Sequence, residues 1–273
     1  MAVSFFDKAP YIMGVVNVTP DSFSDGGVFY DPDRAIAHGL QLAEDGADIL
    51  DIGGESTRPN AAPVTPQEEI DRVLPVIEGL NGCGKIISID TRNAATMRAA
   101  LKAGVTMIND VTALQGDADS LAVAAKSNAA ICLMHMQGDP RTMQNSPRYG
   151  DVVAEVKEFL AGRIGVCEVA GIERSRLVID PGIGFGKTLG HNLALLSHIN
   201  SFDELGVPVL LGLSRKSFIS AIFPDTPPTE RLPGSLAGAL WGLQQGASIF
   251  RVHDVAATRQ AFAVFEAISA AEY

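Results

Sequence analysis

Short, uninterrupted apolar runs recur along the chain, and each is followed by a longer stretch with helical spacing. The runs cover residues 12–18, 49–53, 85–90, 107–111, 130–136, 177–180, 207–213 and 247–253. They show little alternation of apolar and polar positions, as expected of parallel strands covered on both faces. With helices between them, the order is a repeated β-α, the pattern of a parallel α/β fold. Local punctuation agrees. Thr65-Pro66-Gln67-Glu68 predicts an N-cap, a proline in the first turn and a capping-box glutamate, and Asp31-Pro32 opens another helix in the same way. Gly46, Gly104, Gly171 and Gly246 each follow a helical pattern and precede an apolar run. A left-handed residue at that point turns a helix into the next strand.

Eight such units in 273 residues predict a closed (β/α)8 TIM barrel, a single α/β domain spanning residues 1–273. A doubly wound open sheet uses the same β-α alphabet and is the structural alternative. Two strand-to-helix loops, 19–30 and 54–66, are long enough to mark function or disorder. The hydrophobic share, 47%, suffices for one sizeable core. With 21 basic against 32 acidic residues, the net charge is −11. That balance argues against a nucleic-acid or membrane-surface partner but permits a local cationic pocket for a small anion.

Cys83, Cys132 and Cys167 are odd in number and lack C-x-x-C spacing. The expectation is a reducing, cytoplasmic setting with no disulfide framework and no zinc site. The first ten residues do not read as a signal peptide. Residues 232–250 carry no charge, but they contain Pro233, Ser235, Gln244, Gln245 and several glycines. They read as a buried helix followed by a buried strand, not as a membrane span.

The apolar runs end in chemistry. In order they lead into Asn17; Asp51 and Glu55-Ser56-Thr57-Arg58; Asp90-Thr91-Arg92; Asn109-Asp110; His135-Met136-Gln137; Asp180; Ser214-Arg215-Lys216-Ser217; and Arg251-Val252-His253-Asp254. Desolvating such groups is costly unless they pair or bind something, and in a barrel these ends converge on the face that carries activity. Asp110, Arg92 and Asp254 read as braces of loops and strand ends. Lys216, Arg251 and His253 form a cationic subset suited to a phosphate or diphosphate. Asp90, Asn109 and Asp180 can read a heterocycle with several N–H donors, or hold a hard cation. Residues 181–188 resemble a nucleotide loop, but Gly182 and Gly186 are separated by three residues where a Walker A has four. They read as a flexible βα loop in which Phe185 is either a ligand contact or a loop anchor.

Taken together, these segments resemble the signatures of the dihydropteroate synthase family of pterin-binding barrels. The resemblance rests on residues 17–27, 51–59, 88–91, 108–111, 134–138, 180–187, 214–218 and 251–254, all in family order and covering nearly the whole chain. One departure is Asn60, where the pattern leads one to expect glycine. The resemblance implies a Mg²⁺-dependent, usually homodimeric transferase. It joins 6-hydroxymethyl-7,8-dihydropterin diphosphate to 4-aminobenzoate in folate synthesis, and sulfonamides compete with the aminobenzoate.

By the same resemblance, Asp90, Asn109, Met134, Asp180, Lys216 and Arg251 bind the pterin. Asn17 is the metal ligand and joins Arg251 and His253 at the diphosphate. Phe23, Thr57, Arg58, Pro59, Phe185, Lys216 and Ser217 form the aminobenzoate pocket, and Asp25 steadies the developing pterin cation. Asp25, Lys216, Arg251 and His253 are the implied catalytic set. Three other readings use parts of the pattern: a pterin barrel passing a methyl group to a corrinoid, a non-catalytic pterin-binding relative, and a Schiff-base aldolase built on Lys216.

Overall fold

The computed structural model describes residues 9–19, 31–55, 64–139 and 142–271. The eight predicted strands are present: β1 Tyr11–Asn17, β2 Ile49–Gly53, β3 Ile86–Asp90, β4 Met107–Asp110, β5 Ala130–Met134, β6 Leu177–Asp180, β7 Leu210–Gly212 and β8 Ile249–Val252. Helices follow them in turn: α1 Pro32–Glu44, α2 Pro66–Leu80, α3 Ala94–Lys102, α4 Ser120–Lys126, α5 Val152–Val169, α6 Leu189–Ser197, α7 Ser217–Ile222, α8 Leu232–Gln244 and α9 Val255–Ser269.

All strand pairings are parallel, in the order β6-β5-β4-β3-β2-β1-β8-β7. An isolated parallel bridge, Ile179 to Val209, joins the two outer strands. The sheet therefore curls into a nearly closed barrel, and the open-sheet alternative is excluded. β7 is shorter than the predicted 207–213 run. Pro208 has no N–H to donate, so at this seam only its carbonyl takes part, accepting from Ile179 N at 3.0 Å.

The predicted punctuation holds. Thr65 caps α2 with both halves of the capping box, and Asp31 accepts from the N–H groups of Asp33 and Arg34. Gly46, Gly104, Gly171 and Gly246 all have positive φ, each one residue beyond its helix cap. The uncharged stretch 232–250 is α8 followed by the start of β8. Among the described residues no helix is long and apolar enough to cross a membrane.

The apolar core has two parts. The larger lies between strands and helices. The smaller consists of Met13, Ile49, Met107, Ala130, Cys132, Val178, Leu210 and Ile249, which fill the barrel interior. Side chains alternate across a strand, so residues two further on point the same way. From these inner positions that step reaches Asp51, Asn109, Met134 (two beyond Cys132), Asp180, Gly212 and Arg251. Asn17, Asp90 and His253 share the same parity on their strands. The barrel interior is thus apolar at one end and polar at the C-terminal mouth.

Candidate active site

Arg251 organises one side of the mouth. Its Nε donates to Asp51 Oδ2 at 2.6 Å and its Nη2 to Asp90 Oδ2 at 2.8 Å. Asn109 Nδ2 donates to the same Asp51 oxygen at 3.0 Å. One guanidinium cannot neutralise two carboxylates in a buried setting. Asp90 is accordingly pushed up to about 7 by burial, against the pull of Arg251 and with repulsion from Asp51. Burial pulls Arg251 down, but the carboxylates of Asp51 and Asp90 outweigh it and hold its pKa above the usual range.

On the other side stand Asp180 and Lys216. Burial raises the Asp180 pKa, opposed by Lys216 and by the Gly182 N–H, which donates to Oδ1 at 2.7 Å. Burial lowers Lys216 to about 8 despite Asp180. The two sides meet at Gly212 on β7. A Cβ there would lie 3.8 Å from Asp180 Oδ2, 3.8 Å from Lys216 Nζ and 3.9 Å from Arg251 Cβ. Met134 is buried at the end of β5, paired in register with Asp180.

Local turns aim these groups. Ser214-Arg215-Lys216 leaves β7 through Arg215 at φ 59, a left-handed conformation that a non-glycine residue adopts at some cost. It is held from three directions. Arg215 N donates to Ser235 Oγ, Arg231 donates to the Arg215 carbonyl, and the Arg215 guanidinium binds both oxygens of Asp254. Lys216 then donates to the Ile183 carbonyl, with its Nζ 4.6 Å from the centre of the Phe185 ring. Ser217 begins α7 and is exposed. The Ser214 hydroxyl accepts from His253 N at 3.2 Å and lies 3.1 Å from His253 Nδ1.

The residues read as braces behave as such. Asp110 accepts from the Thr112 N–H, the Thr112 hydroxyl and the Leu114 N–H. Arg92 pairs with Glu55, and Asp254 with Arg215. The expectation of a flexible loop at 181–188 is corrected. A Cβ on Gly182 would lie 1.9 Å from the His135 carbonyl oxygen and one on Gly186 2.6 Å from that of Gln137, so this backbone is packed hard against the end of β5. Lys187, read only as part of that loop, is 3% exposed. Burial lowers its pKa to about 7, and burial together with Lys187 lowers His135 to about 3.

Asp51 was noted as a strand end but not assigned to the site. It is fully buried and holds both Arg251 and Asn109. The available signal was its spacing of two from Ile49, the parity that faces the interior. Phe23, Asp25, Thr57, Arg58, Pro59 and Asn60 lie outside the described residues. Asn17 closes β1 and is partly exposed. Among the described residues no three His, Cys, Asp or Glu side chains converge as metal ligands. A single hard amide oxygen fits a hydrated hard cation carried largely by substrate oxygens, the ordinary habit of Mg²⁺ at phosphate sites.

Comparison with known proteins supplies the remaining context. The family described as "Pterin binding enzyme" matches residues 13–253. The dihydropteroate synthase of Haemophilus influenzae is 49% identical over 261 residues, covering 95% of this chain and 94% of that protein. The solved dihydropteroate synthase of Xanthomonas albilineans with 4-aminobenzoic acid superposes with a TM-score of 0.91 at 50% identity, over 97% of this chain and 95% of its own. Its complex with 7,8-dihydropteroate gives 0.88 at 48% identity, over the same shares. The Yersinia pestis dihydropteroate synthase, solved as a sulfonamide drug complex, gives 0.91 at 45% identity over 96% and 95%. Eight strands in one barrel, a paired polar mouth and matches running almost end to end lead to one conclusion: the chain belongs to the pterin-binding enzyme family, among its dihydropteroate synthases.

Proposed function

We propose that the polar mouth of this barrel is where a 7,8-dihydropterin diphosphate and 4-aminobenzoate are joined, with residues 1–273 acting as one domain. The reaction is a group transfer of folate biosynthesis. The 6-hydroxymethyl-7,8-dihydropterin diphosphate ester and 4-aminobenzoate give 7,8-dihydropteroate and diphosphate. One observation carries the assignment of the mouth: Asp180, Lys216 and Arg251 converge on the Cβ-free position of Gly212, with Arg251 already tied to Asp51 and Asp90.

In this reading Asp90, Asn109 and Asp180 accept from and donate to the edge of the pterin, and Met134 packs on the ring. Lys216 lies between the pterin and aminobenzoate sides. Arg251 and His253 take up charge as the carbon–oxygen bond to diphosphate breaks. Asn17 is the residue that would hold Mg²⁺, whose bound role is to neutralise the diphosphate oxygens. Asp25 steadies the cation that remains on the pterin. The neutral arylamine of 4-aminobenzoate then forms the new carbon–nitrogen bond and loses a proton. No strong general base is needed, because an arylamine is already neutral at working pH.

Phe185, Ser217 and Lys216, with Phe23, Thr57, Arg58 and Pro59, form the aminobenzoate pocket, for which sulfonamides are expected to compete. A homodimer in the cytoplasm belongs to the same proposal. It is supported by large apolar side chains left exposed on neighbouring helices: Leu193 on α6, Ile222 and Phe223 at the end of α7, and Trp241 on α8. The test is diphosphate release from the pterin substrate, with and without 4-aminobenzoate and with and without Mg²⁺. Release that depends on 4-aminobenzoate is expected. Turnover that ignores it, or that requires a corrinoid, sinks the reading.

A further inference from the structure

The loop joining β6 to α6 has an unusual set of partners. Four successive carbonyls each accept from a side chain. Ile183 O accepts from Lys216, Gly184 O from Gln144 at 2.6 Å, Phe185 O from Lys187 at 2.9 Å and Gly186 O from Tyr149 at 2.9 Å. Of these donors Lys187 is the buried one, at 3% exposure. Its Nζ has three neighbours: the Phe185 carbonyl, His135 Nδ1 at 3.0 Å and the His135 carbonyl at 3.3 Å. An ammonium has three N–H donors and no lone pair. The contacts close with a charged Lys187 and a lone pair on His135 Nδ1, or with a neutral amine accepting from Nδ1–H, and the Asp180 carboxylate favours the charged form. His135 is then neutral, with its proton on Nε2. Its ring is further fixed edge-on to Phe159, at 4.9 Å between centroids and 88° between planes.

These contacts span 52 residues and tie the end of β5 to the loop that carries Phe185. An ammonium buried among neutral acceptors is an expensive way to fill space, and an apolar side chain of similar length would do that better. The ammonium is instead suited to fixing geometry: it holds the backbone on which Phe185 stands and beside which Lys216 lies.

We propose that Lys187 is a positioning residue for the aminobenzoate side of the site, acting through the Phe185 carbonyl and a neutral, Nε2-protonated His135 to hold the Phe185 ring and its Lys216 neighbour in place. The inference rests on the assignment of Phe185 and Lys216 to that pocket.

Two measurements test it. The first uses the wild-type protein without substrate: the ¹⁵N shifts of the His135 ring. An unprotonated Nδ1 and a protonated Nε2 are expected at pH 5 to 6, below the Lys187 pKa of about 7. The Nδ1–H tautomer, or titration within that range, overturns the proposal whatever the protein's activity. The second is steady-state kinetics of Lys187→Met and Lys187→Gln. For Lys187→Met, KM for 4-aminobenzoate should rise about ten- to a hundredfold, with kcat and the pterin KM within about threefold. Lys187→Gln keeps two donors and should fall between Met and wild type. A variant that loses thermal stability but keeps the wild-type KM overturns the positioning role. Failure of wild type itself to respond to 4-aminobenzoate overturns the functional reading and leaves the ¹⁵N result standing on its own.

Discussion

The barrel interior has two layers that share strands and parity but not chemistry. The lower is apolar, with Ile49, Met107, Val178 and Ile249 fully buried. Two residues further along the same strands stand Asp51, Asn109, Asp180 and Arg251. Both layers are packed and both are shielded by the same outer helices. The lower one is held by burial of apolar surface, which is non-directional and tolerant of exchange. The upper one is held by directional pairs around a guanidinium, where losing one partner strands another charge. The contrast explains why stability and chemistry can be separated within a single interior.

The sharpest way to break the contrast is to remove its central cation. Arg251→Ala leaves Asp51 and Asp90 without their counter-charge and the diphosphate without a donor. Single-turnover diphosphate release should fall by about 10²–10³, and the midpoint of chemical unfolding should drop as well. Near-normal turnover would show that the upper layer is structural.

The complementary change is Ile249→Ala, two residues earlier on the same strand. It should cost about 2–5 kcal/mol in urea unfolding, while kcat/KM of the folded fraction stays within about threefold of wild type. A large loss of kcat/KM with little loss of stability would dissolve the division between layers.

A milder probe is pH. Asp90 is raised to about 7, so between its unfolded value near 4 and that point the folded state binds the extra proton. Its contribution to stability is therefore greatest at low pH and is lost as pH rises through about 7. Asp90→Asn should flatten the slope of unfolding free energy against pH across this window, while no matching change is expected for variants of the lower layer. An unchanged slope would place the extra proton elsewhere.

The smallest effect concerns the rim. Tyr149→Phe removes the donor to the Gly186 carbonyl. It should cost about 0.5–1.5 kcal/mol in thermal or urea unfolding, with only a slight rise in KM for 4-aminobenzoate. A larger kinetic effect than that of Lys187→Met would shift the weight of loop positioning from Lys187 to Tyr149.

Much of the architecture was legible because it is written locally. The capping box at Thr65, the Asp31 cap and the four glycines that end helices act within a few residues, so spacing alone reveals them. The brace roles of Asp110 and Arg92 were also readable. β7 was overestimated because hydropathy does not register the missing N–H of Pro208. The flexible-loop reading of 181–188 was wrong for a different reason. Glycines signal freedom in sequence, but here they mark backbone pressed against β5, and only the partner segment reveals which of the two applies.

The row of polar strand ends, the β-α order and the family signatures are properties of the sequence by itself, since each depends on residue type and near spacing. Only the tertiary structure decided that Asp51 belongs with Arg251, 200 residues away, and that Lys187 is a buried cross-link to His135. The reason is physical. Burial and charge pairing are set by what closure of the barrel brings alongside, and the polar character of a single residue is the same in solvent as inside.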